Sequence, residues 1–143
     1  MTGVVLDASV TISWLLGDAK PADRVYAQAV LDALALPNAQ ADVPATWSLE
    51  IANVLALAEA NEILSEAQSE AFLEMLAGMP IHTDESTSSQ ALADTLHLAR
   101  RYRLSSYDAS YLELALRLGH PLATLDADLA KAARRAGVKK FMG

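Results

Sequence analysis

Short apolar runs recur along this chain, separated by longer stretches with helical spacing, and the first and last of the clearest runs stop at an acid. Gly3-Val4-Val5-Leu6 ends at Asp7, and Pro121-Leu122-Ala123-Thr124-Leu125 ends at Asp126. Runs this short and continuously apolar fit strands buried on both faces, the condition of a parallel sheet covered by helices. The alternation predicts an α/β fold, a parallel sheet of four to five strands flanked by helices on both faces. At 143 residues, 52% hydrophobic and 20% charged, residues 1–143 are expected to form one domain around one core.

The elements follow in order. A strand over 3–6 precedes a helix over 10–16. Pro21 suits the first turn of a second helix, in which Val25, Tyr26, Ala29, Val30, Ala33 and Leu34 recur until Pro37-Asn38 stops it. After a brief strand over 41–43, Thr46 is expected to cap a long helix that offers Trp47, Ile51, Val54, Leu55 and Ala58 to the core. Ser65-Glu66-Ala67-Gln68 has capping-box spacing and opens a helix through Phe72, Met75 and Leu76 to Gly78. Pro80-Ile81-His82 reads as a strand and 83–89 as a loop and cap. Leu92, Leu96, Ala99 and Tyr102 then share a helical face. Ser105 or Ser106 starts the next helix, carrying Asp108, Leu112, Ala115 and Leu116 to Gly119. A strand over 121–125, a helix over 126–136 ended by Gly137, and a final strand over 138–142 complete the chain.

In this arrangement the carboxyl ends of parallel strands and the amino ends of the following helices open on one edge of the sheet, where such folds bind ligands. Four acids fall there: Asp7, Glu50 about one turn inside its helix, Asp108 and Asp126. Each has an ordinary explanation. Asp7 and Asp126 can cap helices, Asp108 can complete a capping box with Ser105, and Glu50 can favour a helix start by its charge. These explanations leave a cost, since Asp7 and Asp126 follow strands expected to be central, where a lone carboxylate is expensive to desolvate. Clustered carboxylates need cations or raised pKa values, and magnesium or manganese suits an oxygen-only set. The chain has no cysteine, which removes thiolate ligands and disulfides.

Val4-Val5-Leu6-Asp7-Ala8-Ser9, Glu50 with Asn53 in a helix after Pro44, Tyr107-Asp108-Ala109-Ser110-Tyr111-Leu112-Glu113-Leu114-Ala115, and Thr124-Leu125-Asp126 resemble the four motifs of the PIN-domain ribonucleases. The length and layout are most similar to the VapC-type toxins of toxin-antitoxin pairs. The resemblance implies that Asp7, Glu50, Asp108 and Asp126 bind Mg2+ or Mn2+. Ser9 and Thr124 match hydroxyl positions lining such sites, although Ser9 can equally just begin a helix and Thr124 just face a neighbouring strand; Asn53, one turn from Glu50, can orient it or be a solvated helix residue, and Asp128 is a second candidate beside Asp126. The implied activity is hydrolysis of an RNA phosphodiester by metal-activated water. The implied partners are RNA, a cognate antitoxin and a second copy of the chain in a homodimer. The competing reading is a noncatalytic PIN-like module that binds RNA or protein.

His82, His97 and His120 match none of these motifs, and no serine-hydrolase elbow or Cys/His pair is present. A haloacid-dehalogenase phosphatase would need a second Asp where Ser9 stands. A receiver domain would need an acidic pair and a later lysine that are missing. The net charge of −7 conceals an asymmetry: residues 1–99 hold 14 acids against Lys20 and Arg24, whereas residues 100–143 hold nine bases against four acids. Those bases could border a phosphate-binding surface, or offset helix dipoles at helix ends. Phe72, Met75, Leu76 and Met79 make an apolar stripe that fits the core or a partner interface. No signal-peptide pattern or long apolar span occurs, so a soluble cytoplasmic protein is expected.

Overall fold

The computed structural model describes residues 2–17 and 20–142, and its first strand, β1 (Thr2–Leu6), lies between two parallel neighbours. On one side β2 (Ala39–Val43) sets Asp42 opposite Val5, and β3 (Ile81–Thr83) pairs beyond it. On the other, β4 (Leu122–Ala123) sets Ala123 opposite Leu6. All pairs are parallel, in the order β3-β2-β1-β4. Val4, Val5 and Leu6 are at most 1% exposed, which explains the unbroken apolar run: with both faces covered, no position of β1 needs a polar side chain.

The expected fifth strand shrinks to a single parallel bridge. Leu122 N–H donates to the Lys139 carbonyl at 3.0 Å and Phe141 N–H to the Leu122 carbonyl at 3.0 Å, pairing Lys140 with Leu122. Met142 then takes φ 58° and turns the chain away. β4 is therefore bordered by this short segment, not by a full strand, and is less central than its sequence suggests.

Helices α1 (Ala8–Leu16), α2 (Pro21–Leu34), α3 (Thr46–Ala60) and α4 (Glu66–Ala77) fill the first half. α1 starts two residues before the expected position because Asp7 already has the extended backbone of an N-cap residue. Pro21 lies in the first turn of α2, and Val25, at helical spacing in the sequence, is 71% exposed. Thr46 is the first residue of α3 and not its cap; its hydroxyl pairs with Ser110 Oγ at 3.0 Å. Trp47, Ile51, Leu55 and Ala58 are buried as the spacing predicts. The capping box of α4 forms in full, and Phe72 and Leu76 enter the core, but Met75 is 40% exposed.

After α5 (Thr87–Gln90) the helical path kinks at Ala93, where φ is −119° and ψ −107°, before α6 (Leu96–Tyr102). The break interrupts the helical face, and Leu92 stands 89% exposed while Thr95 is buried. α7 (Ser106–Leu118) packs on β1 and β4, and its buried stretch runs from Ala109 to Ala115. Leu116, expected on that face, is 42% exposed. Gly119 ends α7 at φ 68°, the left-handed turn that glycine adopts without strain. α8 (Ala127–Arg135) follows β4. No described helix is long and apolar enough to cross a membrane.

Candidate functional site

β1 and β4 end side by side. The Asp7 N–H donates to the Ala123 carbonyl at 2.9 Å, so Asp7 and Thr124 leave the sheet together. Asp7 Oδ2 accepts from Ser9 Oγ at 2.6 Å and from Thr124 Oγ1 at 2.7 Å. These hydroxyls are themselves held: Ser9 Oγ accepts from the Leu125 N–H at 2.9 Å, and Thr124 Oγ1 from the Asp126 N–H at 3.0 Å. Although Asp7 occupies the N-cap position of α1, its side chain makes no cap bond. Helix capping therefore does not account for this carboxylate. Ser9 and Thr124, each of which had an ordinary reading, both serve Asp7.

α3 brings Glu50 to the same edge, where Tyr111 Oη donates to Glu50 Oε1 at 2.8 Å. Tyr111 is fully buried, and burial together with the charges of Asp7 and Glu50 pushes its phenol far above the ordinary range. It lies inside the Tyr107–Ala115 block, but an aromatic at helical spacing reads as core, and only its hydroxyl distinguishes it.

Asp108 enters from the first turn of α7. Ser105 Oγ accepts from the Asp108 N–H at 3.1 Å, yet the return bond of a capping box is absent among the described residues, which leaves the carboxylate turned to other work. Asp126 does cap its helix, Oδ1 accepting from the Leu129 N–H at 2.9 Å. Its ordinary role and its place beside the other acids coexist.

Electrostatics tie the four together. Burial raises the Asp7 carboxyl above the usual carboxylate range against the pull of Ser9 and Thr124, and the Asp126 charge raises it further. Glu50 is raised by burial, with repulsion from Asp7 and Asp108 added. Asp108 is pushed up to about 6, by burial first and then by Asp126, Asp7 and Asp128. Asp128 is exposed and contributes charge from the rim. Asn53 is exposed and makes no hydrogen bond to Glu50 among the described residues, so the expected orienting contact is missing. His120 Nδ1 lies 3.6 Å from Asp42 Oδ2 and is not directed at any of the four acids.

Among the described residues no three acidic or histidine side chains converge closely enough to hold a metal ion by themselves. The donor chemistry nonetheless fits a hard cation, because mutually repelling carboxylates and hydroxyl oxygens are what such ions bind. Magnesium keeps several waters and uses one or two carboxylates directly, so an open arrangement suits a hydrated ion.

The basic C-terminal third divides. Arg117 is committed to structure: it forms a salt bridge with Asp84 at 2.7 Å and another with the buried Glu113 at 2.7 Å. Arg101 and Arg135 lie over the Tyr102 ring at 5.7 and 5.8 Å.

Residues 4–135 match the model of the PIN domain, and the chain belongs to that family. Solved structures share the fold at low identity. PAE2754 from Pyrobaculum aerophilum is 21% identical with a TM-score of 0.62, covering 92% of this chain and 79% of its own. FitAcB from Neisseria gonorrhoeae is 22% identical with a TM-score of 0.60, covering 96% of each chain. FitAB bound to an IR36 DNA fragment is 24% identical with a TM-score of 0.59, covering 96% of this chain and 93% of its own. No curated protein sequence matches the chain.

Proposed function

We propose that the protein is a magnesium- or manganese-dependent endoribonuclease and the toxin of a type II toxin-antitoxin pair, working in the cytoplasm as a homodimer held in check by a cognate antitoxin. The observation that supports the nuclease is the held set of oxygens at one edge of the sheet: Asp7 bonded by Ser9 and Thr124, Glu50 by Tyr111, Asp126 on its helix cap, and Asp108 close enough to feel the charges of Asp7 and Asp126. Such a group is destabilised by its own charge and relieved by a cation. Asp7, Glu50, Asp108 and Asp126 would hold the ion. When bound, it supplies an activated water and offsets charge on the leaving oxygen. The chain's own part is positioning: Ser9 and Thr124 fix Asp7, Tyr111 fixes Glu50, and Asp126 is locked by its cap. The toxin assignment rests on the likeness of the motifs and length to VapC-type toxins.

A noncatalytic module is the second reading, favoured by the lack of a converged ligand set among the described residues. Incubating pure protein with a mixed pool of end-labelled RNAs, with manganese or EDTA and with Asp108→Asn alongside, separates the two. Cutting that requires both manganese and Asp108 is the expected result. RNA left intact by folded, antitoxin-free protein would favour the module.

A further inference from the structure

A cavity of about 700 Å3 opens directly beside the acidic edge; Thr124 and Asp126 lie in its wall, α2 adds Asp23, and Arg134, Lys139 and Lys140 supply three cations. Its volume falls within the roughly 300–1,000 Å3 typical of ligand pockets. The cations are joined to the acids through β4. The strand that delivers Thr124 and Asp126 also pairs with the 139–141 segment, through Leu122 to Lys139 and Phe141 to Leu122. Tyr26 braces this segment from α2: its hydroxyl donates to the Phe141 carbonyl at 2.8 Å, and Lys140 Nζ sits 4.5 Å from its ring centre. Arg134 reaches the same cavity from the last turn of α8. Among the described residues neither Arg134 nor Lys139 has an acidic partner, in contrast to Arg117 with its two.

A helix-end charge needs no cavity, and a solvated lysine needs no strand to hold it. We propose that this cavity binds the backbone phosphate of a nucleotide flanking the scissile bond, with Arg134, Lys139 and Lys140 as the phosphate-binding residues. The inference rests on the acidic edge being the nuclease site. A single-stranded polynucleotide laid across that edge must place its neighbouring phosphates some way from the carboxylates, which repel them. The cavity offers positive charge one step along the same strand. It thereby resolves how a chain of net charge −7 can take a polyanion: the average is acidic, but in this cavity three cations outnumber the two acids, Asp23 and Asp126.

The test is binding of fluorescein-labelled oligouridylate by fluorescence anisotropy in EDTA, in the Asp108→Asn background, so that no cleavage is needed. Two triple variants are compared. One removes the cavity cations (Arg134→Ala, Lys139→Ala, Lys140→Ala); the other removes three cations that do not line the cavity (Arg100→Ala, Arg101→Ala, Arg103→Ala). Thermal melting establishes that both are folded, and Arg134→Gln with Lys140→Gln replaces the first triple should it not fold. The cavity triple is expected to bind at least ten-fold more weakly. Its log–log salt slope should be shallower by about 2, since each phosphate of a single strand that a cation neutralises adds roughly 0.7 to the slope. The distal triple should keep most of the affinity. Equal weakening in the two variants would mean that only net charge matters and would overturn the subsite. Competition by polyglutamate as strong as by unlabelled oligonucleotide would overturn it too, in favour of an acidic peptide. Because the assay is independent of cutting, intact RNA in the cleavage experiment with cavity-dependent binding here would remove the nuclease reading and leave the binding wall, whereas metal-dependent cutting with equal triples would do the reverse.

Discussion

The Tyr111 hydroxyl lies 2.8 Å from Glu50 Oε1, so a phenol from the centre of α7 fixes a carboxylate delivered by α3. This contact opposes the two influences that raise the Glu50 carboxyl, its burial and its acidic neighbours. Tyr111→Phe keeps the ring in the core and removes only the donor. Glu50 should then ionise at still higher pH, and the acid limb of the cleavage profile should move upward. Near neutral pH the rate should fall about ten-fold, the equivalent of roughly 1.4 kcal/mol. A pH–rate profile checks this. A uniform loss at all pH values would mark Tyr111 as a packing residue alone.

Raised carboxyls also set the sign of the stability profile. Asp7, Glu50 and Asp108 ionise less readily folded than unfolded, Asp108 at about 6 against 3.8 for its ordinary value. Their ionisation therefore costs stability, a cost absent below the unfolded value and complete above the folded one. In EDTA the protein should be more stable near pH 5 than near pH 7.5. Asp108 is partly exposed, so solvent screening reduces its share to about 1 kcal/mol, or about 3 °C in Tm. Melting curves across this range check the slope, and a Tm that rises towards pH 7.5 contradicts the coupling.

The same repulsion makes opposite predictions for Asp108→Asn with and without metal. In EDTA at neutral pH the variant should melt above the wild type, because a charge beside Asp7 and Asp126 is gone. Millimolar manganese should raise the wild-type Tm, since a ligand at a hundred times its Kd contributes about 2.7 kcal/mol, and should barely move the variant. Equal manganese shifts in both would take Asp108 out of the metal site.

Much of this was legible in the chain, for reasons particular residues make plain. Val4-Val5-Leu6 had to be a buried strand because an unbroken apolar run tolerates little else, and Asp7 marked where it ended. Capping signals at Ser65 and Ser105 placed α4 and α7 correctly because they act within one turn. What could not be read depends on contacts distant in sequence. Tyr111 meets Glu50 across 61 positions and Thr124 meets Asp7 across 117. The exposure of Leu92 accompanies a kink at Ala93 that no local propensity announces. Carboxylate spacing is set by the relative seating of α3, α7 and the sheet, which no local pattern encodes.

Arg117 tests the difference between a structural and a ligand-binding cation. Its guanidinium donates to Glu113 at 2.7 and 2.9 Å and to Asp84 at 2.7 and 3.0 Å, joining the end of β3 to α7. Glu113 is 4% exposed and would be left as a buried, unpaired charge. Arg117→Ala should cost about 2 kcal/mol, below the roughly 3–5 of fully buried pairs because the arginine is partly solvated. Adding Glu113→Gln should recover part of that loss. Urea unfolding of the single and double variants measures both, and an additive double variant would deny the coupling.

Gly3 packs its backbone against the His120 ring. A Cβ there would lie 2.4 Å from His120 Cε1 and 2.7 Å from Nδ1, closer than packed atoms allow. His120 can yield only by rotating outward, away from Asp42, whose Oδ2 is buried and has no hydrogen-bond partner. Gly3→Ala should therefore destabilise the protein by about 1–3 kcal/mol through overpacking. Since the clash is with one side chain, His120→Ala should make the same glycine substitution nearly harmless. A double-mutant cycle by urea unfolding decides it: a coupling near zero would mean that the backbone of β1, and not the His120 ring, is what excludes a side chain at this position.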